Sequence, residues 1–296
     1  MVFHNNCPLC LSEKISPYLK CIDYLVSKEE FELYRCHECG FIFTREYPDE
    51  TEIGRYYESE NYISHNDRAR GFTNRVYLGV RDIMLQRKLR IVEIATGLNR
   101  GNILDIGCGT GYFAATMKEA GWVVTGIEPN EKARDFGISR FGIKVLSENG
   151  VSDLPDKSFD CITMWHVMEH FHNPFRYSEE ISRLLKTDGI CIAALPNSDS
   201  SDAGYYGTLW AAYDVPRHLW HFNSSTFKLF WEKKGFEIVR IKSLPLDVFY
   251  ISILSERNKG SKLPFIIGLL TGGVFALKSA MNINKCSSLI YFLRKK

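Results

Sequence analysis

The segment that most constrains this chain runs from Leu104 to Phe113, LDIGCGTGYF: an apolar run, an acid, then a glycine at every second position. Such a run reads as a buried strand, the glycines as a tight turn with close backbone approach, and the next stretch as a helix. That unit opens a doubly wound sheet. The chain beyond Gly101 repeats the theme, with NILDIG, WVVTGIE, GIKVLS, FDCITMW and GICIAALP as short buried strands separated by helical stretches. One helix is expected over Pro174 to Lys186, opening behind Asn173 with proline first and closing before Gly189. GFEIVRIKSL and SSLIYFLRK supply a sixth and seventh strand, with an apolar-rich insertion at 246–285 between them. The expected class is α/β, with a doubly wound, mostly parallel, seven-stranded Rossmann-like sheet. Ahead of it, Phe72, Val76, Val80, Ile83 and Met84 recur at helical spacing up to a stop at Gly97.

Ligands of such sheets sit at the carboxyl ends of the strands. A dinucleotide fingerprint would put its third glycine where Tyr112 stands, and no Lys-Ser or Lys-Thr comes after the glycines as in a P-loop. Asp105, directly before the loop, would repel a phosphate but suits an ammonium or sulfonium. Glu128, ending the second strand, is placed to accept hydrogen bonds from ribose hydroxyls. This acid–glycine–acid arrangement fits S-adenosylmethionine better than a phosphorylated nucleotide. Taken in order, LDIGCGTGYF, GIEPN, SFDCITMWHVMEHFHNP and LLKTDGICIAALPN resemble the successive motifs of class I S-adenosylmethionine-dependent methyltransferases, over about residues 101–236. The pattern is similar to the broad branch that includes quinone-biosynthesis methyltransferases. By that resemblance Asp105, Gly107 and Gly109 line the methionine part of the cofactor, Glu128 holds the ribose and Pro129 flanks the adenine. Gly111 and Trp165 join the expected cofactor set. The family often has an aspartate before an L-P in the next loop. Here the stretch is ENGVSDLP, which offers Glu148, Asn149 and Asp153, of which Asp153 is taken.

Nine cysteines make an odd number for a disulfide framework, and four of them fall in the pairs Cys7/Cys10 and Cys36/Cys39. Two such knuckles complete a closed tetrahedral zinc site, which leaves no open position and is therefore structural. The stretch YRCHECGFIFTREYPDETEIGRYY resembles the zinc-binding N-terminal region fused to many methyltransferases of this type. Residues 1–46 are expected to form this zinc-ribbon-like module, 47–98 a connector and helical segment, and 99–296 the methyltransferase domain. Cys21, His4 and His37 remain alternative ligands. Cys108, Cys161 and Cys191 read as small packing residues.

Methyl transfer is an in-line displacement, and a hydroxyl acceptor must also lose its proton. Five of the eight histidines (His166, His170, His172, His218 and His221) fall in the loops after the fourth and fifth strands, where an acceptor would sit. His218 is the first choice for a general base, with His166 and His170 behind it. HVMEHFHNP resembles a segment in which some quinone O-methyltransferases carry a metal-binding Glu-x-x-Glu-His, with His166 in place of the first glutamate; Glu169 and His170 either bind metal or tie down the loop. The second loop is long and aromatic, and its D-x-P-R-H-L recurs in the resembling family. That suggests acceptor-site duty for Asp214, Arg217 and His218, although Arg217 could instead anchor the loop to Asp214.

The near-balanced charge, 37 basic against 35 acidic residues, gives nucleic-acid binding no general support. Arg68, Arg70, Arg75, Arg81, Arg87, Lys88 and Arg90 form a basic run, but no Asn/Asp-Pro-Pro-aromatic signature and no Pro-Cys dipeptide occurs. The expected reaction is methylation, at oxygen, of a small or carrier- or lipid-linked acceptor. A tRNA substrate is the runner-up and a non-catalytic cofactor-binding scaffold the third reading. The N-terminus has no signal-like apolar run. The stretch 263–277, interrupted by Pro264 and three glycines and ended by Lys278, reads as too short to span a bilayer. A cytoplasmic protein is expected, its insertion either covering a greasy pocket, touching a membrane surface with Lys262, Lys278 and Lys285, or packing against a domain or a second copy.

Overall fold

The computed structural model describes residues 1–57 and 72–296, with the backbone alone over 72–78 and at 80. Arg68 and Arg70 of the basic run lie outside the described residues, as does the Arg75 side chain. The N-terminal part holds β1 (Val2–Phe3), β2 (Ile15–Ile22), β3 (Glu30–Cys36), β4 (Ile42–Thr44) and β5 (Glu46–Tyr47). Helix α1 (Phe72–Thr96) comes next and stops at Gly97, whose φ of 70° is the left-handed value that ends helices. The larger unit then alternates. Its first half runs β6 (Asn102–Ile106), α2 (Tyr112–Glu119), β7 (Val123–Ile127), α3 (Glu131–Phe141), β8 (Lys144–Leu146), β9 (Phe159–Trp165), α4 (Pro174–Leu184) and β10 (Leu185–Pro196). The second half runs α5 (Ser201–Tyr206), β11 (Trp220–His221), α6 (Ser224–Glu232), β12 (Phe236–Ser243), α7 (Asp247–Asn258), α8 (Pro264–Met281) and β13 (Ser288–Lys295).

Seven of these strands form one sheet in the order β12-β13-β10-β9-β6-β7-β8, in which β13 runs antiparallel to both its neighbours. The expected seven-stranded, mostly parallel Rossmann-like sheet is present. Alternation within strands explains its two-sided core. On β6, Leu104 and Ile106 join Ile162, Met164 and Ala193 on one face, while Ile103 meets Cys161 and Ile192 on the other. Chain order reverses between β6 and β9, and the crevice at that switch point is where a ligand belongs.

Two local readings are corrected. The helix that opens at Pro174 under its Asn173 cap ends at Leu184, before Lys186. Leu185 is already extended, and the register slips between Leu185 and Ile190, so Gly189 serves the strand and does not stop the helix. A Cβ at Gly189 would lie 2.8 Å from the Leu185 side chain, which explains the glycine. In the insertion, Pro264 occupies the helix start, where its missing N–H costs nothing, and the glycines do not break the helix. The result is an unbroken 18-residue helix, α8, long and apolar enough by length and composition to cross a membrane.

The N-terminal unit is not a separate bead. Its sheet has the order β11-β4-β3-β2, so a strand from the long loop after β10 forms one edge, pairing Trp220 with Phe43 and His221 with Ile42. Cys7, Phe41 and Phe43 share a core with Leu104 and Ile162 of the large sheet.

Candidate functional site

The cofactor-side loop is built on backbone that only glycine adopts easily. Gly107, Gly109 and Gly111 have φ of 69°, 54° and 82°. A Cβ at Gly107 would meet Val167 at 2.4 Å and one at Gly111 would meet Ile143 at 2.5 Å, whereas Gly109 faces open space. The turn therefore presents a bare backbone cradle. Asp105 at the end of β6 is 3% exposed, and its carboxylate accepts a 2.7 Å bond from the Thr163 hydroxyl. Burial raises its pKa to about 7, against the pull of Thr163 and Lys88. Glu128 accepts from the Gly109 and Asn130 amides, both at 2.9 Å, and so ties the loop to the turn after β7. Burial raises its pKa as well. The carbonyl of Pro129, next in chain, accepts from Arg134. Trp165 lies edge-on to Phe113, with its indole N–H buried and, among the described residues, without a hydrogen-bond partner. Of the candidates for the adenine edge, Glu148 is half-buried beside the Tyr177 hydroxyl, while Asn149 and Asp153 are exposed. A glycine cradle flanked by two acids is an arrangement able to hold S-adenosylmethionine.

Val167, packed on Gly107, carries the next loop into the site. His166 sits at φ 57°, rare for a side chain of its size, with Nε2 2.8 Å from Asp247 Oδ2 and Nδ1 3.4 Å from Glu169 Oε1. Burial alone would lower its pKa, but the two carboxylates raise it to about 10, so His166 is an imidazolium at neutral pH. Glu169 is 1% exposed, and among the described residues neither of its oxygens has a hydrogen-bond partner. Its burial opposes ionisation, yet His166 and the neighbouring imidazoles hold its pKa at about 2. His170 bonds through Nδ1 to the Tyr57 hydroxyl at 3.0 Å and meets the His218 ring edge-on at 4.5 Å. Burial, and then His218, lower its pKa to about 4. His218 Nδ1 lies 2.8 Å from the Ala212 carbonyl, which accepts from it and so leaves the lone pair on Nε2. Glu169, His170 and His218 each place one ligand atom within 4.8 Å of the others, a set able to hold a divalent ion. Glu169 and His218, without His170, line a narrow recess that also touches Ser198, Trp210 and His221.

Three of the five clustered histidines thus converge and two do not. His221 bonds the Thr44 hydroxyl and His172 the Pro48 carbonyl, so both tie the loops to the N-terminal unit. Arg217 is an anchor. Buried at 1% exposure, it bonds Asp214, Asp23 and the Tyr56 carbonyl. Two charged neighbours escaped the sequence reading. Lys88, from α1, lies 4.5 Å over the Trp165 ring, and burial lowers its pKa against the pull of Asp105 and Asp247. Asp247 opens the insertion. Neither has a local sequence signal; each reaches the site through folding of a distant segment.

The four paired cysteines also converge, with Cys7 Sγ 3.6 Å from Cys39 Sγ and Cys10 Sγ 3.5 Å from Cys36 Sγ. Tetrahedral Zn–S bonds of about 2.3 Å imply S···S separations of about 3.8 Å, so the cluster fits zinc after slight expansion. His4 bonds Tyr47, His37 bonds Ser16, and Cys21 is buried in a different cluster, away from the four thiols.

Fold and loop are those of S-adenosylmethionine-dependent methyltransferases. The chain belongs to the methyltransferase domain family, whose model matches residues 80–241. It is 32% identical over 130 residues to the ubiquinone biosynthesis O-methyltransferase of Maricaulis maris, covering 40% of this chain and 51% of that protein. A tRNA U34 carboxymethyltransferase of Aeromonas salmonicida is 31% identical over 153 residues, covering 47% of this chain and 45% of that protein. The chain thus spans about half the length of these curated relatives. Among solved structures, magnesium protoporphyrin IX methyltransferase from Synechocystis PCC 6803 with bound SAH superposes with a TM-score of 0.54 at 14% identity, covering 84% of this chain and all of that one. That likeness concerns the fold.

Proposed function

We propose that the chain methylates an oxygen of a small or lipid-linked acceptor held between the loops after β9 and β10, with a structural zinc in the N-terminal unit. The observation that carries this reading is the Gly107–Val167 contact, which joins the cofactor cradle directly to the cluster of His166, Glu169, His170 and His218. The O-methyltransferase relatives support oxygen as the acceptor atom.

In this reading S-adenosylmethionine supplies the electrophilic methyl group, and the chain's own residues do the rest. Asp105 and the glycine loop hold the methionine end, Glu128 holds the ribose, and Trp165 and Pro129 bound the site. His218 Nε2 accepts the proton of the acceptor hydroxyl as the new O–C bond forms and the S–C bond breaks. His166, held cationic by Asp247 and Glu169, has no free lone pair. It positions the loop and offers positive charge to a developing oxyanion. His170 Nδ1 is committed to Tyr57, and its low pKa makes it a weak base. Cys7, Cys10, Cys36 and Cys39 are assigned to the zinc. The units are read as a zinc module over 1–46, a connector over 47–98 and the methyltransferase domain over 99–296.

A tRNA acceptor is the second reading, favoured by the carboxymethyltransferase relative. Cofactor labelled on its methyl group, incubated with cell extract with and without nuclease, separates the two. Label in an organic-soluble, nuclease-resistant fraction is expected. Label lost on nuclease treatment would replace the first reading with the second, and no label in any fraction would favour a binding scaffold.

A further inference from the structure

Helix α8 has two unlike faces. On one, Gly268 and Gly272 let it close on α7: a Cβ at Gly268 would lie 2.5 Å from Ile253 Cα, and one at Gly272 2.9 Å from the Phe249 ring. Phe275 is buried on this side, and Thr271 bonds the Tyr206 hydroxyl at 2.9 Å. The other face carries Phe265, Ile266, Leu270, Val274, Leu277 and Met281, each 52% to 81% exposed. A contiguous apolar stripe of this length on the outside of a folded domain calls for an occupant.

Charge around the stripe identifies that occupant. No acidic side chain comes after Glu256 in the sequence, while Arg257, Lys259 and Lys262 precede the helix and Lys278 and Lys285 close it. All five cations are exposed. Lys259 lies 3.8 Å from the buried Glu256 and Lys285 bonds the Asp199 carbonyl, yet cations outnumber acids at both ends of the apolar stripe, and that excess complements a lipid surface of negative charge. Spanning is excluded by the connections. The helix packs along its length on α7, and its end leads through Ile283–Lys285 into β13, which lies between β12 and β10 in the sheet. Both ends therefore return to one body.

We propose that α8 lies in the plane of an anionic phospholipid bilayer, with its exposed stripe among the acyl chains and the five cations at headgroup level. The geometry connects this surface to the site. α7, on which α8 rests, begins at Asp247, the residue that holds His166. A docked chain thus holds its acceptor loops close to the lipid boundary. This last step rests on the lipid-linked reading of the acceptor; docking itself does not.

The test is co-sedimentation of the full chain with phosphatidylcholine vesicles with and without phosphatidylglycerol. Binding is expected to vesicles containing phosphatidylglycerol, to weaken with added salt and to be slight on phosphatidylcholine alone. L270D with L277D should weaken binding by about a hundredfold, since two leucines leave the acyl region. L270Q with L277Q should weaken it in the same direction and guards against an effect of added charge alone. Both pairs are exposed, and an unchanged circular dichroism spectrum verifies folding. Full recovery in the supernatant with phosphatidylglycerol present would overturn the proposal. So would a dimer in ultracentrifugation that the same variants dissolve, because the stripe would then belong to a second copy. Vesicle binding is read without methyl transfer, so its failure would leave the proposed reaction standing, and failure of the reaction would leave docking standing.

Discussion

If Asp105 holds the cofactor's ammonium as proposed, cofactor affinity should depend on pH. Its carboxyl is pushed up to about 7 by burial, so at pH 6 only about one molecule in ten would carry the charge assigned to that contact. A cationic ligand binds the ionised form, and binding therefore releases a proton. Affinity should rise as pH rises towards 7 and level off above it. Between pH 7.5 and pH 6 the dissociation constant should increase about eightfold, close to 1.2 kcal/mol. The ligand's own amino group, with an ordinary pKa of about 7.7–8.0, stays largely cationic over this window. His170 and His166, at about 4 and about 10, do not titrate there. Calorimetry with S-adenosylhomocysteine in two buffers of different ionisation enthalpy measures both the affinity and the released proton. Asp105→Asn should bind weakly and lose most of the slope. A flat wild-type profile between pH 6 and 7.5, or a slope that survives in the variant, would refute the assignment; the latter would move it to Glu128, whose pKa is also raised.

Gly107→Ala puts a methyl 2.4 Å from Val167 at a φ of 69°; calorimetry should show at least about a tenfold loss of cofactor affinity in a folded protein, partly restored by Val167→Ala. Arg217→Met leaves the buried Asp23 and the nearby Asp214 without their cation, and denaturant unfolding should show a loss of about 3–5 kcal/mol. Asp247→Asn removes the carboxylate nearest His166, so an NMR titration should find the imidazole pKa lowered by at least about one unit. Replacing Cys36 and Cys39 together by serine should release one zinc per chain, read by elemental analysis. Because β4 pairs with β11, that loss should reduce methyl transfer while cofactor affinity changes little.

The sequence carries the large sheet well because its central strands β6, β9, β10 and β13 are buried on both faces and each glycine of the Gly107–Gly111 turn answers a backbone demand. The placement of Asp105 and Glu128 beside the glycine turn was legible for the same reason: each lies at a strand end, and strand ends are fixed by local pattern. The cysteine pairs were legible by spacing. The acceptor side was only half legible. Histidine density marked the right loops, but density cannot say that His172 and His221 turn to Pro48 and Thr44 while His166 turns to Asp247. Those partners lie far along the chain, and pairing at such separation leaves no periodicity. Lys88 was hidden differently, since one lysine in a basic run looks like any other until the helix is docked. The glycines of α8 misled because in isolation they weaken a helix, whereas here they permit the close approach of α7 that stabilises it.

The N-terminal segment meets the loops after β9 and β10. Tyr57 bonds His170, Asp23 bonds Arg217, and Thr44 bonds both the His218 carbonyl and the His221 ring, so the N-terminal unit holds Arg217, His218 and His221 as well as His170. The cofactor cradle, by contrast, is made within β6, β7 and the turns beside them. The N-terminal unit thus bonds the residues proposed for the acceptor side directly and, among the described residues, reaches β6 only through the shared apolar core. The same division appears in the charges. Asp105 and Glu128 lie on one side of Gly107, while beyond Val167 the imidazolium of His166 lies between Asp247 and Glu169, so an acidic and a cationic group face each other across the Gly107–Val167 contact.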